Sequence, residues 1–272
     1  MLDYHIHTKR CGHATGEMHE YVEQAQAIGL SEMGFSDHFP FQDRERPELA
    51  MSLAELPDYV RDVEQIRHRY PKIPIRLGTE VDYFPQQEQQ IGKLLAQYPF
   101  DYVIVGVHFI GEWNFDNRAE IAEWEKRDVN EVYEQYILLL KHAACSGLFN
   151  IVAHCDLVKI FGYRPTRSFH DQWEELVQCF AQNGLAVEIS TAGLYKPVGE
   201  IYPSEEIIAL LKKYNVPIVI SSDAHRPEHV GRDFDRAIRL ALKYGIDSVC
   251  LFENRKLVQQ IPIAQHLASL SE

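Results

Sequence analysis

Short runs rich in apolar and β-branched residues recur along the chain, separated by longer amphipathic stretches. LDYHIHT from Leu2, EMGFSDH from Glu32, IRLGTEVDYF from Ile75, YVIVGVHF from Tyr102, NIVAHCD from Asn150, LAVEIST from Leu185 and PIVISSDAH from Pro217 read as strands. LAELPDYVRDVEQIRHRY and DVNEVYEQYILLLKHAACSG read as helices, the second stopping at Gly147. Strand-then-helix order predicts parallel strands joined by crossover helices, and seven such strands predict a closed or nearly closed α/β barrel. SVCLFEN from Ser248 reads as an eighth strand or a closing segment, and FQDRERPELAMS as a long surface loop after the second strand. No Ser/Gly-rich linker or internal repeat divides the chain, so residues 1–272 are expected to form one domain.

Bulk properties narrow the function. A length of 272 residues suits one barrel. The formal net charge of −13 argues against a nucleic-acid coat, which needs a positive field to displace counterions. A small anionic substrate stays open, because bound cations invert a local field. No apolar leader and no membrane-length apolar run is seen. The five cysteines are scattered without CxxC spacing, which fits a reducing cytoplasm and argues against a disulfide framework. Cys11 and Cys155 lie beside candidate ligands, but neither has a second cysteine nearby.

The polar residues at the strand ends carry the chemistry. Residues two apart on a strand share a face, so His5 and His7 project together, as do Asp223 and His225. His38, Glu80, His108 and His154 finish other strands, and His13 follows the first. In a (β/α) barrel these ends form one rim. Singly, each would read as a hydrogen-bonded core histidine or a buried ion-pair partner. Together they would be costly to desolvate, and metal cations resolve that cost by bonding imidazole and carboxylate directly. His19, His68, His142, His170, His229 and His266 fall in helical or polar contexts and read as solvated.

These motifs resemble those of the PHP (polymerase and histidinol phosphatase) family: HxH near the N-terminus, GTEVDYF, GVHF, AHCDL and SDAHRPEHVG. EISTAGL, YPSEE and LFENRK are similar to its stand-alone histidinol-phosphatase branch, and the likeness runs from Leu2 to about Lys256. Cys155 departs from the expected proline or small residue. The resemblance implies a distorted (β/α)7 barrel with three metal ions at the C-terminal strand ends. His5, His7, Glu80 and Asp223 would hold the first. Glu80, His108 and His154 would hold the second, with Glu80 bridging, and His13, His38 and His225 the third.

The implied activity is hydrolysis of L-histidinol phosphate, a step of histidine biosynthesis. Paired cations can orient phosphate and generate hydroxide near neutral pH, and mixed His/carboxylate ligands suit Zn, Fe or Mn. Attack would be direct, since neither a DxDx(T/V) nor a GxxxxGK(S/T) motif is present. Glu80 would set the cation spacing, and Asp223 or His225 would protonate the leaving alcohol. Lys159 and Lys196 are the expected phosphate contacts, with Arg164 a further candidate. Glu112 and the aromatic Phe109 and Trp113 could meet the substrate's amine and imidazole. Three other readings stay open: another small phosphate ester or nucleotide as substrate, a non-catalytic polymerase-associated module, and a metal store or sensor.

Overall fold

A computed structural model describes residues 1–264 and 266. The strands are β1 (Leu2–Asp3), β2 (Glu32–Phe35), β3 (Ile75–Leu77), β4 (Glu80–Asp82), β5 (Ile104–Gly106), β6 (Phe109–Ile110), β7 (Trp113–Asn114), β8 (Ile151–Val152), β9 (Ala186–Ser190), β10 (Ile218–Ser221), β11 (Ser248–Glu253) and β12 (Lys256–Pro262). The helices are α1 (Met18–Ala27), α2 (Leu56–Arg69), α3 (Glu88–Leu95), α4 (Val129–Cys145), α5 (His170–Gln182), α6 (Glu205–Lys213) and α7 (Phe234–Lys243).

Parallel pairing runs β1–β2–β3 and β4–β5–β8–β9–β10. Two parallel bridges join these sheets into a barrel. Ile6 pairs with Ala224 at one seam and His38 with Glu80 at the other. β3 and β4 are one stave broken at Gly78–Thr79, so the expected seven-stave distorted barrel is present with IRLGTEVDYF split in two. The break has a packing cause. Tyr102 fills the barrel interior and donates from Oη to the Tyr4 carbonyl at 2.6 Å. A Cβ on Gly78 would lie 2.3 Å from its ring, so no side chain fits there.

The helices follow their apolar periodicity. α2 buries Leu56, Tyr59, Val63 and Ile66 at three- and four-residue intervals and carries a proline in its first turn. Asp128 caps α4 by accepting from the Asn130 N–H at 2.7 Å, and Gly147 takes a left-handed φ of 70° just past its end.

Two expectations need correction. The Ser248 run is a strand, but not an eighth stave of the barrel. It pairs antiparallel with β12, and the hairpin packs on the barrel end where the Phe252 N–H donates to Tyr4 Oη at 3.2 Å. The loop after the second strand is not purely superficial. Arg46, Ala50 and Met51 are buried, and the Arg46 guanidinium pairs with Asp43 at 2.8 Å and lies 4.2 Å from the Phe41 ring centroid. The residues after β5 form a short hairpin, β6–β7, ahead of α4.

Overpacking around Tyr102 yields a direct test. Gly78→Ala should lower unfolding free energy by about 1–3 kcal/mol in denaturant titration. Unchanged stability would contradict the packing described.

Candidate metal centre

The rim is built by backbone devices that each aim a side chain inward. The His7 N–H donates to the Ala224 carbonyl and the Ala224 N–H to the His5 carbonyl, both at 2.9 Å. This extended pairing sends both imidazoles to one side, their centroids 5.0 Å apart. Asp223 does not sit in a strand, as its spacing from His225 suggested. β10 ends at Ser221, and Asp223 adopts φ 51°, a strained turn that points its carboxylate at the histidines. Glu80 opens β4 beside Gly106, where a Cβ would lie 2.6 Å from both Glu80 Oε1 and His108 Cε1. The glycine leaves room for both side chains.

Glu80 is the hub. Its Oε2 lies 3.1 Å from His5 Nε2, 3.3 Å from His38 Nδ1 and 3.6 Å from His7 Nε2. Its Oε1 lies 3.2 Å from His154 Nε2 and 3.7 Å from His108 Nε2. Asp223 Oδ1 stands 3.1 Å from His7 Nε2 and 3.7 Å from His5 Nε2. His13 and His225 face each other nitrogen to nitrogen at 3.0 Å, and His225 stacks on His7 with centroids 4.1 Å apart.

These residues fit metal ions on two observations. His5 Nε2, both ring nitrogens of His7 and His38 Nδ1 are buried with no hydrogen-bond partner, an arrangement costly for imidazoles unless a cation meets them. The donor spacings of 3.1–3.3 Å also match the edge of a tetrahedron around zinc, about 3.3 Å for bonds of about 2.0–2.1 Å. Among the described residues His5–Glu80–His154, His5–His7–Asp223 and His7–His38–His225 each bring ligand atoms within 4.8 Å of one another. Cys11 joins His13 and His225 in a further such group, although its buried sulfur already accepts from the Ala14 N–H at 3.3 Å.

A second layer of carboxylates, not singled out in the sequence, orients the imidazoles. Glu188 on β9 accepts from His5 Nδ1 and from the His154 backbone N–H, both at 2.7 Å. Asp82 accepts from His108 Nδ1 at 2.7 Å, and Asp37 stands 3.6 Å from His7 Nδ1. The hydrogen bonds of Glu188 and Asp82 fix the tautomers of His5 and His108 and leave the other nitrogen free for a metal.

Their charges dominate the local electrostatics. Burial alone would discharge His5, His7 and His108. Glu188, Glu80 and Asp223 instead hold His5 well above its ordinary value, the neighbouring carboxylates of Asp223 and Asp37 raise His7 to about 9, and Asp82 with Glu80 raises His108 to about 10. His38 and His225 go the other way: burial, reinforced for His225 by His7, pushes both well below their ordinary value. Burial opposes ionising Glu80 and Asp223, yet the surrounding histidines keep both carboxyls well below theirs.

The cluster opens into a cavity of about 400 Å³. Of the four expected substrate contacts, Lys196 lines it. Lys159 does not. Its side chain is 1% exposed, and its ammonium is held by Asp156 at 2.8 Å, the Ile201 carbonyl at 3.0 Å and Glu200 at 3.2 Å. Arg164 is drawn to the same Glu200 at 2.6 Å, away from the cavity. Glu112 sits exposed at the tip of the β6–β7 hairpin, paired with Arg44 at 3.2 Å. Phe109 lines the cavity, whereas Trp113 is buried against Trp124, with Arg127 over its ring at 4.3 Å.

The structure adds lining residues that the sequence did not flag: Asn114, Asp116, His229 and Arg232. His229 is therefore half-buried at the cavity and not simply solvated. The Arg232 guanidinium lies 3.3 Å from the Tyr195 ring centroid, placing a fixed cation at the rim.

An α/β barrel whose strand ends converge histidines and carboxylates on one bridging glutamate is a metal-site barrel. More specifically, the chain belongs to the PHP domain family, whose model matches residues 3–192. It is 37% identical to a probable histidinol-phosphatase of Deinococcus radiodurans, over 94% of this chain and 98% of that protein. It is 28% identical to the histidinol-phosphatase of Bacillus subtilis, over 86% and 96%. In fold it is similar to a histidinol phosphate phosphatase from Lactococcus lactis, solved with zinc, L-histidinol and phosphate. That match has a TM-score of 0.81 at 24% identity and covers 95% of this chain and 98% of that one.

The raised imidazoles set the sign of a pH effect. Without metal, His7 and His108 hold protons at pH 7, and ligation requires their lone pairs. Zinc binding to stripped protein should therefore release protons, and affinity should climb about tenfold per pH unit for each proton released between pH 6 and 8. Calorimetry in buffers of different ionisation enthalpy reads both. Uptake of protons, or a flat profile, would contradict this electrostatic picture.

Proposed function

We propose that this chain is a cytoplasmic, metal-dependent phosphomonoesterase that hydrolyses L-histidinol phosphate to L-histidinol and inorganic phosphate. The observation that carries the reading is the convergence on Glu80 of imidazoles from four separate strand ends, at metal-ligand spacing, beneath a cavity with cationic side chains. The names of the Deinococcus and Bacillus relatives support the substrate, and the zinc, L-histidinol and phosphate in the Lactococcus structure support the ligand classes. Among the described residues no helix is long and apolar enough to cross a membrane.

Three cations are assigned to the site. His5, His7, Glu80 and Asp223 would hold one, Glu80, His108 and His154 the second, and His13, His38 and His225 the third. When bound, such ions supply Lewis acidity toward phosphate oxygens and make hydroxide available near neutral pH. The protein does the rest. Glu80, whose two oxygens face different histidines, would set the spacing of the first two sites. Lys196 and Arg232 hold the phosphate with charge-assisted hydrogen bonds. The proton that the departing alkoxide receives comes from solvent in the cavity, because the surroundings keep Asp223 ionised and His225 unprotonated. Glu188 and Asp82 keep the His5 and His108 imidazoles in the required tautomer. A purely non-catalytic module is disfavoured, because all of these groups are retained around an open cavity.

Glu80→Ala should lower metal content, measured by plasma emission, and reduce kcat/KM on L-histidinol phosphate by about 10³-fold or more, in line with removal of a central catalytic stabiliser. Retained metal with full turnover would refute the assignment. Glu188→Gln should weaken zinc binding about 10–100-fold, as loss of an outer-shell partner does. Lys196→Ala should raise KM about tenfold with metal content intact, since a charge-assisted contact would be lost. An unchanged KM would remove Lys196 from the phosphate site. A panel of small phosphate esters separates L-histidinol phosphate from rival substrates by kcat/KM.

A further inference from the structure

The cavity carries both cationic and acceptor groups in its lining. Lys196 and Arg232 line it from the loops after β9 and β10, while the β6–β7 hairpin presents Asn114 and Asp116. These two acceptors have no role in the metal assignment. Asn114 is 6% exposed, lines the cavity, and its Oδ1 has no hydrogen-bond partner. A buried amide oxygen left this way awaits a donor. Asp116 is half-buried two residues on, with no ion pair of its own among the described contacts, and Phe109 lies on the same hairpin facing the same cavity.

The backbone holds this hairpin against the metal centre. The Phe115 N–H donates to the His108 carbonyl at 3.2 Å, and the Asn117 N–H to the Asn114 carbonyl at 3.2 Å. The hairpin core is packed by Trp113, Phe115 and Trp124, so Asn114 and Asp116 are placed by a rigid support.

We propose that Asn114 and Asp116 form the recognition site for the substrate's primary ammonium group, making this hairpin the element that selects amino-alcohol phosphates over phosphate esters without an amine. The proposal deepens the functional reading above and rests on it. An ammonium donates three hydrogen bonds and carries one positive charge. The Asn114 amide oxygen and the Asp116 carboxylate supply two of the acceptors and the countercharge. Glu112, the acid that the sequence brought forward, cannot do this from the exposed tip, where Arg44 already pairs with it. Discrimination follows because a ligand without the amine leaves both acceptors desolvated and unpaired.

The test is calorimetric binding to metal-loaded protein, which needs no turnover. L-histidinol is compared with its deaminated analogue, 3-(imidazol-4-yl)propan-1-ol, on wild type, Asp116→Asn and Asn114→Ala, with metal content measured for each. Wild type should bind L-histidinol at least about tenfold more tightly, as a charge-assisted pair implies. Asp116→Asn should cut that ratio to below about threefold, and Asn114→Ala should cut it partially. A wild-type ratio near one, or a ratio that both variants leave unchanged, would overturn the proposal. Failure of wild type to hydrolyse L-histidinol phosphate would instead strike the functional reading, and the binding ratio reports separately from it.

Discussion

Everything at the rim depends on keeping one buried carboxylate charged. Glu80 is 1% exposed, and the desolvation penalty on its anion is met only by the imidazoles that crowd it. Those imidazoles are themselves buried, and several of their nitrogens have no protein partner. Neither set is satisfied by the other alone. Cations would satisfy both sets, because each can bind both donor types and neutralise the accumulated acid. The outer carboxylates Glu188, Asp82 and Asp37 extend the same logic one layer outward.

The barrel is distorted where this cluster needs space. The third stave breaks at Gly78, so Glu80 restarts a strand in register with His38. Gly106 withholds a side chain where Glu80 and His108 approach. Asp223 leaves the β10 ladder through a left-handed turn. Each departure weakens a local preference and serves the site. Conflicts between local propensity and tertiary demand concentrate at functional positions for that reason.

Much of this was legible in the residues themselves. Strand-then-helix alternation pointed to the barrel, and the position of single histidines at strand ends pointed to the shared rim, because strand direction alone decides where those side chains go. HxH worked because its backbone stays extended between Ala224 hydrogen bonds. What failed depended on loop paths. Lys159 read as a phosphate ligand, but the turn after β8 carries it into a pocket of Asp156 and Glu200. Glu112 and Asp116 are four residues apart, and only the tip of the β6–β7 hairpin decides which faces the cavity. Glu188 lies inside an apolar-looking strand, and no spacing signal marks a carboxylate whose partner stands 183 residues away. The β11–β12 pairing was missed because KLVQQIP is mostly exposed and lacks the alternation of a half-buried strand.

The most direct test of the account is anomalous diffraction above the zinc edge from crystals of the zinc-loaded protein. The account predicts peaks on both oxygens of Glu80, one reached also by His5, His7 and Asp223 and one by His108 and His154, with another between His13, His38 and His225. Zinc bound elsewhere with no density on Glu80 would contradict it.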